Sequence, residues 1–338
     1  MHVTYLTPIP HPAIEGTDAL FNEMELLKNR IGGQVISIFP YKKRGRYFPG
    51  KLFGFPKYFQ IKASEEKSAI NHIYAPELAI FPIYSFLKKP IVYNVVRSFS
   101  PSVELPALKQ LKRFKKIIVS NEKDYQFLKD RKVEQAHIIR TGIDQTKLVA
   151  SSLPLGDELV LMMASARWLA SQFHTKGVHL LLQALKVLTG VKIIFIWRGL
   201  MADQMRALIE QYQVADKVIF VNKKVSINDY FKQIHGTILI TNKSEDVKAF
   251  PHSLLESLAV SKPVILTNKI PMSKLVAQQG CGLVLNNFTV TSLVDGIKKF
   301  KKNYSTLLQQ TKEMDKSSFS VETMTRQYLA MYEEVLKS

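Results

Sequence analysis

Short runs of β-branched and aromatic residues alternate along the chain with longer runs in which apolar residues recur every three or four positions. Val3 to Leu6, Val35 to Phe39, Ile70 to Tyr74, Ile91 to Val95 and Ile117 to Val119 are of the first kind, continuous enough to be buried on both faces of a parallel sheet. Between the first two, Leu20, Met24 and Leu27 fall at helical spacing, and Gly32-Gly33 closes that helix. A small, polar, Pro- and Gly-bearing stretch at 150–157 reads as a linker, and the strand pattern restarts at Leu159 to Ala164. The second half then gives a helix from about Gly177 and strands at Lys192 to Trp197, Lys217 to Val221, Thr237 to Thr241 and Val264 to Thr267. Helices are expected at Ala202 to Tyr212 and Ser253 to Val260. The last helix, Val321 to Leu336, carries Met324, Tyr328, Met331, Tyr332 and Val335 on one side.

This grammar predicts an α/β protein of two Rossmann-like, doubly wound parallel-sheet domains facing each other across a cleft, the usual seat of a ligand in such proteins. The expected boundaries are 1–150, joined by a returning helix at about 318–338, and 151–317. With 338 residues, 46% of them apolar and 10% aromatic, two cores can form without staples. The single cysteine, Cys281, rules out an intramolecular disulfide and a Cys-based zinc or iron–sulfur cluster. No apolar stretch reaches the ~18 residues of a membrane span, and the first twelve residues lack the basic and apolar blocks of a secretory signal, so a cytoplasmic location is expected.

Charge adds one feature. The chain holds 47 Lys and Arg against 28 Asp and Glu, a net +19. Residues 42–62 carry seven cations and six aromatic rings with no acid, and 109–116 add a second basic run. Rings settle at a bilayer interface and cations near anionic lipid, so both segments predict peripheral seating on an anionic membrane surface, at its inner face. Nucleic acid is not an expected partner, because no recognition-module motif accompanies the basic residues.

Familiar catalytic signatures are absent: there is no P-loop, no G-x-G-x-x-G, no G-x-S-x-G and no H-E-x-x-H. His174 and His179 are five apart, which places them on different faces of one helix and argues against a chelating pair. No Asp-x-Asp pair is present to hold a divalent cation against a diphosphate, so Lys and Arg must neutralise such a group. Arg167 falls just beyond a buried strand and Lys176 at the mouth of the next helix, in its first turn, where the helix dipole favours an anion. In 248–267, Pro251 and Ser253 lead into a helix that Leu254, Leu255 and Leu258 bury. Glu256 there points back toward the loop, where a carboxylate can accept hydrogen bonds from vicinal hydroxyls.

The order and spacing of these pieces resemble the nucleotide-binding half of the retaining GT-B glycosyltransferases of family 4, the glycosyl transferases group 1. The matching strings are Ala166-Arg167, Lys176-Gly177-Val178, Ala249-Phe250-Pro251, Ser253 through Ala259, Pro263-Val264-Ile265 and Gly280 through Val284. Weaker matches at Ile117 through Ser120 and Thr141 through Asp144 extend over the first half. The resemblance implies metal-independent transfer of a hexosyl group, with retention, from a UDP- or GDP-linked sugar to a glycan or lipid-linked acceptor, without a cofactor. Arg167, Lys176 and Lys248 would then be the catalytic positions. Phe250, His252, Ser253, Leu254 and Glu256 would hold the donor, through the ribose at Glu256 and through backbone amides from His252 to Leu254. Gly16 and Arg97 would lie on the acceptor side.

Three departures from the family pattern stand out. Lys248 occupies the place of a glutamate eight positions before Glu256, with Glu245 and Asp246 close by. Val96 or Arg97 stands where relatives carry a histidine, and the glycine loop after the first strand is reduced to Glu15-Gly16-Thr17. Lys248 keeps a second reading open, a catalytically inactive glycosyltransferase-like subunit of a glycosylation complex.

Overall fold

The structure is a computed structural model that describes residues 1–12, 18–41, 48–100, 102–151, 153–165, 169–197 and 201–337. It divides into two units, Met1–Gly142 with Ser318–Ser338, and Ile143–Ser317. The break thus falls at 142/143, where 150/151 was expected.

The first unit is a sheet of β1 (Val3–Thr7), β2 (Gly33–Ser37), β3 (Ile70–Ala75), β4 (Ile91–Val95), β5 (Phe114–Val119) and β6 (Ala136–Ile138). Every pairing is parallel and the order is β2-β1-β3-β4-β5-β6. Its helices are α1 (Ala19–Ile31), α2 (Tyr58–Glu66), α3 (Leu108–Leu111), α4 (Glu122–Lys129) and the C-terminal helix (Val321–Lys337). Asp18 starts α1 by accepting the Leu20 N–H at 2.9 Å and the Phe21 N–H at 3.3 Å. Gly32 ends it with φ +98°, and Gly33 follows at φ +133°, where a side chain would collide with the Val3 carbonyl oxygen. Only glycine lets β2 start this close to β1.

The two faces of this sheet have separate cores. On one, Leu6, Ile73, Tyr93 and Ile117 pack with Ile61 of α2, Ile83, Leu111 and Leu128. On the other, Val3, Tyr5 and Tyr74 pack with Leu20, Met24 and Leu27 of α1 and with Met324, Tyr328 and Tyr332 of the C-terminal helix. The heptad-like stripe legible in that helix is therefore the lid of the first unit's sheet.

The second unit holds β7 (Leu159–Ala164), β8 (Val191–Ile196), β9 (Val218–Val221), β10 (Gly236–Leu239), β11 (Val264–Thr267) and β12 (Gly282–Leu285), also all parallel. Their order is β12-β11-β10-β7-β8-β9. The helices are α5 (Gln172–Thr175), α6 (Val178–Val187), α7 (Ala202–Gln211), α8 (Ile227–Phe231), α9 (His252–Ala259), α10 (Ser273–Gln279), α11 (Val290–Lys302) and α12 (Tyr304–Glu313). Among the described residues no helix is long and apolar enough to cross a membrane.

A polar seam lies beneath the C-terminal helix. His72 of β3 is fully buried, with Nδ1 hydrogen-bonded to the Tyr332 hydroxyl, and Asn94 Nδ2 donates to the Tyr328 hydroxyl at 3.1 Å. Burial holds the His72 imidazole down at about 3, against a smaller upward pull from Glu23. The unfolded chain takes a proton near pH 6.5 that the folded chain refuses until about pH 3, so stability is intact above 6.5 and falls with acidification below it. Each pH unit of that window costs about 1.4 kcal/mol. Denaturation midpoints measured from pH 7 to pH 4.5 are expected to show this slope, and His72→Phe, which cannot be protonated, is expected to flatten it by one proton's share.

Candidate functional site

In the second unit the strand order reverses between β7 and β10: β7, β8 and β9 advance to one side, and β10, β11 and β12 to the other. Loops leaving the carboxyl ends of β7 and β10 therefore part in opposite directions, which opens a crevice at that edge. The loop that follows β7 runs through α5 to Lys176 and Gly177. It is stitched to the chain leaving β10, because the Thr175 carbonyl accepts the Asn242 N–H at 3.0 Å and lies 2.9 Å from the Thr241 hydroxyl. Thr175 Oγ1 also donates to the Asp246 carboxylate. Thr241 is in turn tied to β11, its N–H donating to Thr267 Oγ1 at 3.0 Å and its carbonyl accepting that hydroxyl at 2.7 Å.

Lys176 is only 5% exposed. It stands one residue ahead of Gly177, which caps α6 in the left-handed region at φ +64°, so Lys176 precedes the helix; its expected place was the first turn. A side chain at Gly177 would collide with Ile240, so the turn and the position of Lys176 both depend on glycine there.

The second strip of the site comes from the chain between β10 and α9. Ala249 is anchored by its carbonyl, which accepts the Met272 N–H at 3.1 Å, and Phe250 is buried. Pro251 opens α9 with no side-chain cap, and its carbonyl accepts the Leu254 and Leu255 N–H groups at 3.1 Å each. Leu254 is wholly buried and its amide is engaged in this turn, so of the amides from His252 to Leu254 it is not a donor to a ligand. The Ser253 N–H makes no hydrogen bond among the described residues and lies at the positive end of the helix. Lys248 Nζ sits 3.5 Å from His252 Nε2, one turn back along the same strip.

Glu256 is the electrostatic oddity. Its carboxyl has no hydrogen-bond or ion-pair partner among the described residues, and burial pushes it up to about 7. A carboxyl in this state is about half protonated at neutral pH and has open acceptor capacity for hydroxyls.

Arg167 and Gly16 lie outside the described residues. Arg97 belongs to the first unit, just past the carboxyl end of β4, with its N–H donating to the Pro76 carbonyl at 3.2 Å. The histidine pair behaves differently from its spacing. Because Gly177 splits α5 from α6, the two residues sit on separate helices and their rings stack at 4.0 Å, tilted by 20°. His179 also reaches the Tyr212 hydroxyl at 3.0 Å, and burial together with His174 lowers its pKa. Among the described residues no three His, Cys, Asp or Glu side chains converge as a metal site. Asp246, Thr241 and Thr267 are site-building residues that sequence reasoning passed over or named only as stand-ins. For the two threonines the signal was a polar residue at the carboxyl end of an otherwise apolar strand.

Comparison with known proteins fits this geometry. Residues 151–317, which lie within the second unit, match the family described as Glycosyl transferases group 1. A Salmonella typhimurium protein named for colanic acid biosynthesis, the glycosyltransferase WcaL, is 23% identical over 214 residues, 60% of this chain and 52% of that protein. The chain thus spans about half the length of that curated relative. Among solved structures, sucrose-phosphate synthase from Thermosynechococcus elongatus aligns over 100% of both chains with a TM-score of 0.73 at 14% identity. Anabaena HepE in complex with UDP-glucose aligns over 99% of this chain and 100% of its own, with a TM-score of 0.72 at 15% identity. The fold is GT-B.

The raised Glu256 pKa carries a stability consequence. Between about pH 4.5 and 7 the folded protein holds a proton the unfolded chain has lost, so the ligand-free protein loses stability as pH rises through this window. Above pH 7 the charged carboxylate is a net cost of about 3 kcal/mol. Glu256→Gln is expected to raise the urea midpoint at pH 8 while leaving it nearly unchanged at pH 4.5.

Proposed function

We propose that the protein is a glycosyltransferase that moves a hexosyl group, with retention and without a divalent metal, from a UDP- or GDP-linked sugar to a glycan or lipid-linked acceptor. The observation that carries this reading is the Lys176 loop bound to the carboxyl end of β10 beside the uncapped α9. HepE was solved with UDP-glucose, which supports a nucleotide-sugar donor, and the name of WcaL supports a surface-polysaccharide acceptor. In this reading Lys176 and Arg167 neutralise the diphosphate, and the α9 amino end adds the Ser253 N–H. Glu256 accepts the ribose hydroxyls. The acceptor hydroxyl attacks the anomeric carbon from the face the diphosphate leaves, the bond from that carbon to the phosphate oxygen breaks, and the hydroxyl proton passes to the departing phosphate. Fixed cations aimed at the charge growing on the leaving group supply the main stabilisation. The first unit, with Gly16 and Arg97, receives the acceptor, and the enzyme works in the cytoplasm.

Lys248 gives a second reading its footing. A cation where the family pattern has a glutamate suits either an anionic donor sugar or a subunit that binds without transferring. A panel of UDP- and GDP-sugars separates these: product with any donor supports transfer, whereas nucleotide binding without turnover supports the inactive subunit.

Free UDP and GDP are expected to raise the melting temperature, since a ligand that binds only the folded state stabilises it. Ribose hydroxyls favour the ionised form of Glu256, so nucleotide affinity is expected to weaken as pH falls through 7 toward 5.5, and Glu256→Gln is expected to abolish this dependence. No thermal shift with either nucleotide, at any pH, would overturn the donor-site reading.

A further inference from the structure

The first unit presents a face that the sugar chemistry does not use. Ten large hydrophobic side chains are exposed among the described residues, and four of them, Leu52, Phe59, Phe86 and Leu108, belong to three adjoining segments of this one unit. Both exposed phenylalanines are there, Phe59 at 85% and Phe86 at 49%. The segments are 48–62, 81–89 and 107–116, and the fold stitches them together. Phe86 packs edge-on against Phe55 at 5.6 Å and Tyr58 at 6.0 Å, Phe53 stacks on Phe81 at 5.4 Å, and Lys62 donates to the Phe86 carbonyl at 3.2 Å. Arg113 bridges to the third segment, donating to Ser85 Oγ at 3.0 Å and to the Tyr84 carbonyl. All three lie over the same core of the sheet, the one formed by Ile61, Ile83, Tyr84, Leu111 and Phe114, opposite the C-terminal helix.

Charge on this face is one-sided. Its three segments contain ten Lys and Arg and no Asp or Glu; one of the ten, Lys116, points to the other side of the sheet, where it pairs with Glu334 of the C-terminal helix. Glu65, which follows the first segment, is turned inward: it is 2% exposed, pairs with Lys62, and accepts the Lys88 and Lys89 N–H groups at 2.7 and 3.0 Å. That arrangement fixes the chain so that the Lys88 and Lys89 side chains stand in solvent. Lys51, Lys88, Lys89, Lys109 and Lys112 are all exposed and have no ion-pair partner among the described residues.

Exposed aromatic rings set among unpaired cations fit an interface that is apolar a few ångströms deep and negatively charged at its surface. We infer that this face, built from α2, the 81–89 segment and α3, seats the first unit on a bilayer of anionic phospholipid, with Phe59 and Phe86 inserted at headgroup depth. The seating belongs to the unit that would receive the acceptor and does not depend on which sugar is moved. It rests on residues 81–89 as much as on the basic runs, because Phe86 and Lys88-Lys89 join the other two segments into one surface.

The test is sedimentation of the full chain with vesicles of phosphatidylcholine alone and of phosphatidylcholine with phosphatidylglycerol in equal parts. Binding is expected only to the anionic vesicles and is expected to be lost at about 0.5 M salt, where screening is short-ranged. Each cation near the surface is worth about fivefold in partitioning, so Lys88→Glu/Lys89→Glu/Lys109→Glu/Lys112→Glu should lower it more than a hundredfold. Phe59→Ser/Phe86→Ser should lower it several-fold while leaving the salt dependence in place. Unchanged melting curves for these surface variants confirm that the fold is intact. Equal binding to both vesicle types, or variants that bind like the parent chain, would overturn the inference. So would salt-sensitive retention of single-stranded RNA with no vesicle binding, or concentration-dependent dimerisation that the serine variants abolish.

Discussion

The Thr175 carbonyl decides where the chemistry of the second unit can be. Its hydrogen bonds with Asn242 and Thr241 join two loops that the sheet topology would otherwise send apart, since β7 and β10 lead away in opposite directions from the reversal between them. Once joined, the β7 loop can carry a buried lysine without drifting, and the Asp246 carboxylate on Thr175 holds the same loop from its other side. Gly177 completes the arrangement by turning the chain into α6 in a space that Ile240 leaves to a bare backbone. Such polar stitches at the edge of an apolar sheet are worth modest energy each, but they fix geometry that packing alone would leave loose.

The electrostatics of this site suit a polar or charged ligand. Lys176 is a nearly buried cation, the amino end of α9 has no side-chain cap, and Glu256 is pushed toward its neutral form by burial. Of these, Glu256 carries a desolvation penalty in its charged form that a hydrogen-bond donor would relieve. Binding sites are commonly where a fold tolerates such strain, and the rest of this unit, with its all-parallel apolar strands, offsets it. Lys248 beside His252 extends the positive character of this strip beyond what the family pattern has at that place.

Much of the architecture could be read from periodicity. Five of the six strands in each unit and the C-terminal helix stand close to where apolar patterning puts them, because buried parallel strands must be apolar throughout. β12 escaped because Gly282-Leu283-Val284-Leu285 is short and opens on glycine, and β6 because three residues give no pattern. The site was legible as residue types in order: Lys176, Lys248, His252 and Glu256 occupy the two strips. What patterning could not supply was the break at Gly177, which moves Lys176 out of the helix and stacks His174 on His179. Nor could it show that Leu254's amide closes its own turn. Both depend on backbone conformation at single residues, which a side-chain periodicity does not encode.

The path of the chain has a consequence for biosynthesis. The second unit is one uninterrupted segment, whereas the first is split, and one face of its sheet is covered by Met324, Tyr328, Tyr332 and their neighbours, which follow the second unit in the chain. A ribosome makes the first unit's strands first, yet that half cannot close its apolar surface until the helix Val321–Lys337 has been made. The later-made half can therefore complete its core earlier, and the amino-terminal sheet waits, half-dressed, for the final turn of helix. Nascent-chain order and folding order run opposite to each other, and the period of exposure is set by the length of the intervening unit.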